Sequence, residues 1–137
     1  MVLPINGLWY CRDEAVWSAA LERYWTFIQP RNLELERAME RLDPDRIRRL
    51  GPDEWFAFLR DEHFRWKYTA SNRYATTTAH LKRAVVDPAG LASLFTVKEQ
   101  LLALDPADVG SALGIALAIP GLGTAGASGL LALLIPT

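Results

Sequence analysis

The chain has 137 residues, half of them apolar and 23% charged, a composition that excludes a disordered polypeptide and fits one folded domain spanning residues 1–137. Its formal net charge of −1 excludes a global basic field, so any polyanion would have to be held by a local patch or by backbone groups. One cysteine, Cys11, excludes an internal disulfide and a cysteine-built zinc site and points to a reducing, cytoplasmic setting.

Residues 1–6 show no basic region leading into an apolar run, so no secretory signal is expected. Val16, Trp17, Ala20, Leu21, Tyr24, Trp25 and Ile28 recur at helical spacing and predict one apolar face of a helix that Pro30 ends. Leu35, Ala38, Met39 and Leu42 predict the next. Asp43-Pro44, Gly51-Pro52, Asp87-Pro88 and Asp105-Pro106 each set a capping residue before a proline, the order expected at a helix start. Trp55, Phe56, Leu59, His63 and Trp66 carry the helical spacing on after Pro52, and a further helix is predicted over 71–84. Two short helices follow over 88–95 and 97–104, the second opened by the capping-box spacing Thr96-Val97-Lys98-Glu99. Residues 106–118 predict a helix, Ile119-Pro120-Gly121-Leu122-Gly123 breaks it, and residues 124–134 resume it. No stretch alternates with period two between hairpin turns, so strands are not expected. The sequence therefore predicts an all-α fold: an irregular bundle of about seven short helices that ends in a helical hairpin over about 106–135.

Charge is unevenly spread. Every charged residue lies at or before Asp108, and residues 110–137 carry none. Upstream, Arg60, Arg65, Lys67, Arg73, Lys82 and Arg83 interleave with Phe64, Trp66, Tyr68 and Tyr74. That mixture fits a groove for single strands. It fits equally an amphipathic helix pair whose aromatics are core and whose cations are solvated. His63 and His80 lack metal-ligand spacing and read as structural.

The segment Ile119-Pro120-Gly121-Leu122-Gly123-Thr124-Ala125-Gly126-Ala127-Ser128-Gly129-Leu130-Leu131 resembles a helix-hairpin-helix motif, as found in the endonuclease III-like superfamily of DNA glycosylases. The resemblance covers about a quarter of the chain. It implies non-sequence-specific DNA-backbone binding, with phosphate held near Gly121, Gly123, Thr124 and Ala125. It also implies a monovalent cation on the backbone carbonyls of Leu117, Ile119 and Leu122, and no other cofactor. The physical chemistry agrees, since glycines let a phosphate approach the backbone and the first amides of a helix attract anions. Arg73, Lys82 and Arg83 are the candidate second contact. The family's catalytic lysine falls at Ala125, and its catalytic aspartate lies in a segment with no counterpart here, so catalysis is not implied. Two other readings fit the uncharged segment. Gly110, Gly114, Ala118, Gly126 and Gly129 could simply let helices pack closely, with the apolar C-terminus docking on a protein partner or a second copy. A membrane span is disfavoured because Pro120-Gly121 divides the run into pieces of roughly ten to twelve residues, where about 20 are needed.

Overall fold

A computed structural model describes residues 5–135. The sequence readings for residues 1–4 and 136–137 lie outside them. The described residues are all helical or in turns, with no strand. They form nine helical segments if Pro52 to Lys67 is taken as one rod. Two compact units are distinguished, residues 1–34 and 35–137.

In the first unit, α1 spans Ile5–Trp9 and α2 spans Glu14–Phe27. Asp13 caps α2 by accepting from the Ala15 amide at 2.9 Å. The helix stops at Phe27, and Pro30 begins α3, Pro30–Glu40, whose last residues belong to the second unit. The predicted helix is present, but its predicted core face is not. No described residue of α2 is buried, and Trp17, Leu21 and Tyr24 are exposed.

The second unit holds α4 (Pro44–Arg48), α5 (Pro52–Phe58), a π-helical turn (Leu59–His63), α6 (Phe64–Lys67), α7 (Ser71–Ala84), α8 (Pro88–Ala103), α9 (Val109–Ala116) and α10 (Thr124–Leu134). Three of the four proline starts behave as the sequence predicts. Asp43 accepts from Asp45 N at 3.0 Å, Asp87 accepts from Gly90 N at 2.7 Å, and Glu54 reaches back to Gly51 N at 3.2 Å. The fourth does not. Asp105 spends its carboxylate on the Ala107 amide in a turn, and Asp108 caps α9 by accepting from Ser111 N at 3.2 Å. The two short helices expected over 88–104 are one helix, α8. Nothing between Phe95 and Val97 breaks it, and the Thr96 hydroxyl bonds back to Ala92 O at 3.0 Å instead of capping.

Trp55, Phe58, Leu59 and Phe64 line the inner face of the α5–π–α6 rod. They pack with Ile47, Leu81, Leu94, Leu101, Ala112, Ala116, Ile119, Ala127, Leu130 and Leu134 in one core. The Trp55 indole N–H donates to Leu94 O at 3.0 Å, so its one polar atom is satisfied inside. Arg46 and Glu62 form a two-pronged ion pair, at 3.1 and 2.7 Å, that ties α4 to the π turn. Lys98 is 1% exposed, yet its ammonium donates to Arg48 O at 2.9 Å and Leu50 O at 2.8 Å. It caps the C-terminal end of α4 from α8, where backbone carbonyls lack intrahelical donors. Replacing Lys98 by Met keeps the apolar stem and strands both carbonyls. Urea unfolding should show a loss of about 1–3 kcal/mol, and an unchanged midpoint would show that water replaces the ammonium at no cost.

Candidate phosphate-binding hairpin

The hairpin starts where α9 runs out. Ala118 N and Ile119 N donate to Ile115 O and Ala116 O, tightening the last turn. Leu122 N then donates to Ile119 O at 3.2 Å across Pro120 and Gly121. Proline second and a positive-φ glycine third, with Gly121 at φ 94°, make this a type II turn. A side chain at Gly121 is doubly excluded. Besides the backbone conformation, a Cβ there would stand 2.5 Å from Thr77 O and 3.0 Å from Phe64 Cε2. The turn is fastened from outside by the Tyr68 hydroxyl, which donates to Gly121 O at 3.0 Å. It is fastened from inside by the buried side chains of Ile119 and Leu122.

Gly123 differs from Gly121 in kind. It is exposed, its backbone is extended (φ −94°, ψ −174°), and a Cβ on it would meet nothing within 4 Å. It is the N-cap of α10 and has no side chain to cap with. The first backbone bond of the helix is Ala127 N to Gly123 O at 2.9 Å. The amides of Thr124 and Ala125, both exposed residues, therefore have no acceptor among the described residues. By contrast, carboxylates cap α2, α4, α8 and α9. The four predicted phosphate-site residues thus divide. Gly121 shapes and anchors the turn, while Gly123, Thr124 and Ala125 present it.

The small residues further along α10 have a packing role. Gly126 lies under the Tyr68 hydroxyl and Leu122 Cδ2, where a Cβ would collide, and Gly129 lies under the flexible end of Lys67, which would have to move aside. Gly110 and Gly114 face open space instead. Leu130 and Leu134 are buried, so much of the apolar C-terminal segment is spent in the unit's own core. No helix among the described residues is long and apolar enough to cross a membrane.

The predicted second contact also divides. Arg73 lies beside the hairpin, its guanidinium 6.0 Å from the ring of Tyr68. Lys67 joins it, with Nζ 4.1 Å above the Trp66 ring. Lys82 and Arg83 lie nine and ten residues beyond Arg73 on α7, about 14 Å along the axis. Lys82 acts on the Asp61 carboxyl, and Arg83 bonds His80 Nδ1 at 2.9 Å. Of the aromatic faces proposed for base stacking, three are engaged by the chain's own cations, Arg65 over Tyr74, Lys67 over Trp66 and Arg73 over Tyr68, and Phe64 is fully buried. Thr76, Thr77 and Thr78 turn their hydroxyls back onto carbonyls of α7. Of the carbonyls suggested for a cation, that of Ile119 already accepts from Leu122 N, leaving its second lone pair.

His63 packs behind the hairpin, fully buried, edge-on to Phe64 and 6.0 Å from Trp66. Neither ring nitrogen has a hydrogen-bond partner among the described residues. Burial, reinforced by the nearby Lys67 charge, pushes the imidazole down from 6.5 to about 4, and the Gly126 backbone beside it only partly opposes this. Comparison of the chain with family models, curated proteins and solved structures found no match.

In the unfolded chain the ring protonates near 6.5, while the folded protein keeps it neutral down to about pH 4. The stability it permits is complete above pH 6.5 and drains away as pH falls towards 4, by up to about 3 kcal/mol. Urea midpoints taken between pH 7 and pH 4 should fall accordingly. His63→Phe should flatten that stretch of the profile, and a wild-type profile already flat there would mean the ring is solvated.

Proposed function

We propose that this chain binds the sugar–phosphate backbone of double-stranded DNA, without sequence preference, at the start of α10. The observation that carries this reading is the exposed, uncapped Gly123-Thr124-Ala125 segment, with two amides lacking acceptors and clear space above Gly123. A phosphate oxygen placed there accepts from the Thr124 and Ala125 amides and meets the positive end of the helix dipole. Tyr68 holds the turn in place, and positive charge stands nearby on Arg73, beside the Tyr68 ring, and on Lys67, over Gly129. Residues 110–137 bring no acidic side chain to repel it. A monovalent cation on the carbonyls of Leu117, Ile119 and Leu122 would bridge turn and phosphate, since neutral carbonyls can replace the hydration shell of such an ion. Base edges play no part, so the grip reads backbone alone. No chemical step belongs to the proposal, because Ala125 occupies the family's lysine position.

One hairpin touches few phosphates. About two neutralised charges give a slope of log affinity against log salt near −2, and a dissociation constant of roughly 10⁻⁴ to 10⁻⁶ M. The discriminating variant is Gly123→Asp. The extended backbone at Gly123 suits an aspartate N-cap. The new carboxylate should take the free amides, stabilise the fold by about 0.5 kcal/mol, and repel phosphate. Thermal stability should therefore rise while DNA affinity in a fluorescence-anisotropy titration falls at least about tenfold. Arg73→Glu should also weaken binding, whereas charge reversal at Lys82 and Arg83 should leave it nearly unchanged. Full affinity in Gly123→Asp, or no binding by the wild type at low salt, would dismiss the hairpin as the site.

A further inference from the structure

The first unit presents a surface that the hairpin does not use. Trp17, Leu21 and Tyr24 follow one another at spacings of four and three, so they share one face of α2. They are 47, 51 and 54% exposed, and Phe27, at the edge of the same face, is 73% exposed. Just upstream, Trp9 and Tyr10 are 80 and 83% exposed. The Trp17 indole N–H donates to Cys11 O at 2.8 Å, which fastens the chain following Trp9 and Tyr10 to the foot of the stripe.

A helix of 14 residues is marginal in water unless one of its faces is covered. The six exposed side chains offer on the order of 800 Å². The four on the α2 face make up roughly half of that, within the range of about 300–600 Å² for the largest patch on an ordinary monomer, which is often functional. With Trp9 and Tyr10, joined to its foot through Cys11, the total matches the about 800 Å² that each partner contributes to a standard protein interface.

The charges around the stripe narrow the choice of occupant. Arg12 and Arg23 stand against Asp13, Glu14 and Glu22. A helix that lies on an anionic bilayer carries lysines and arginines on its polar face, and this one is slightly acidic. A mixed rim with no dominant sign suits a copy of itself. The stripe is also self-complementary about its middle. With two helices antiparallel and Leu21 against Leu21, Trp17 of one faces Tyr24 of the other, and the helix dipoles oppose.

We propose that α2 is a self-association helix, through which two copies of this chain pair antiparallel about a two-fold axis near Leu21. The pairing is independent of the DNA reading, and Gly123→Asp leaves it unaltered.

The test is sedimentation equilibrium and light scattering on the full chain. Interfaces of this size hold in the micromolar range or tighter, so the chain should be dimeric at a few times about 1 μM. Leu21→Lys and, separately, Tyr24→Lys should each raise the dissociation constant by about a hundredfold or more. Leu21→Met should keep the dimer. Val86→Lys, at an exposed apolar residue outside the stripe, should keep it too. Near-ultraviolet circular dichroism of each variant confirms that the remaining aromatics stay packed. A wild-type chain that is monomeric up to about 100 μM overturns the proposal. So does a dimer that survives both lysine variants, which would lie on another surface. A monomer that floats with neutral phosphatidylcholine vesicles also overturns it and assigns the stripe to a bilayer surface.

Discussion

The second unit depends on how closely the backbone of its last helix can approach the rod that precedes α7. The Tyr68 hydroxyl and the Leu122 side chain lie directly on Gly126, with no room for a Cβ, and the flexible end of Lys67 lies over Gly129. Tyr68 then reaches past Gly126 to bond Gly121 O. One aromatic residue thus sets both the seating of α10 and the position of the turn that leads into it. Because Gly121 needs a left-handed backbone and also abuts Thr77 O, the turn is held against α6 and α7 together. Ile119 and Leu122 carry the same constraint into the core, where they join Phe64 and Leu81. Rigidity at the turn and exposure immediately after it have a common origin. The residues that bury the hairpin end at Leu122, and the chain leaves the core at Gly123.

The treatment of helix starts separates α10 from much of the chain. Aspartates close α2, α4, α8 and α9, and Glu54 closes α5 by reaching back to Gly51. Each of these satisfies one or more amides locally and places negative charge at the dipole's positive end. α10 opens on glycine in a segment without any charge, so its first amides are left to solvent or ligand. Lys98 answers the opposite problem. It supplies donors from α8 to the carbonyls at the end of α4, and so replaces a local cap by a tertiary one. The buried ammonium is compensated by those two carbonyls and by the Glu99 carboxylate, 3.5 Å away.

Much of this was legible in the sequence. Helical spacing and proline starts located most of the helices, and the Pro-Gly-Leu-Gly turn is the type II turn its residues demand. The errors share a cause, which is competition between neighbouring signals of similar strength. Asp105-Pro106 reads as a helix start, but Asp108 three residues on offers a second cap, and the helix takes the later one. Thr96 has the spacing of a cap, yet in a stretch free of glycine and proline from Leu91 to Leu104 its hydroxyl bonds Ala92 O instead. The apolar face of α2 was visible, whereas its exposure was not, because periodicity reports which residues want cover and not whether the chain supplies it. At the hairpin, the glycines were legible and their partners were not. Tyr68 is 53 residues from Gly121, and no local pattern distinguishes it from the aromatics around it.

The π turn between α5 and α6 sets the aim of everything after it. Phe64 N donates to Leu59 O, five residues back, where an α-helix would reach four. One residue more than regular helix requires is thus accommodated in the middle of a rod, and it lets Leu59, His63 and Phe64 all turn inward. Regular helix turns by about 100° per residue. Wound as regular α-helix without that wide turn, the same residues would swing Lys67 and Tyr68 round by a large part of that angle, away from the glycines they cover. The alignment of the hairpin therefore depends on how one turn of helix is wound, in a segment outside the hairpin itself.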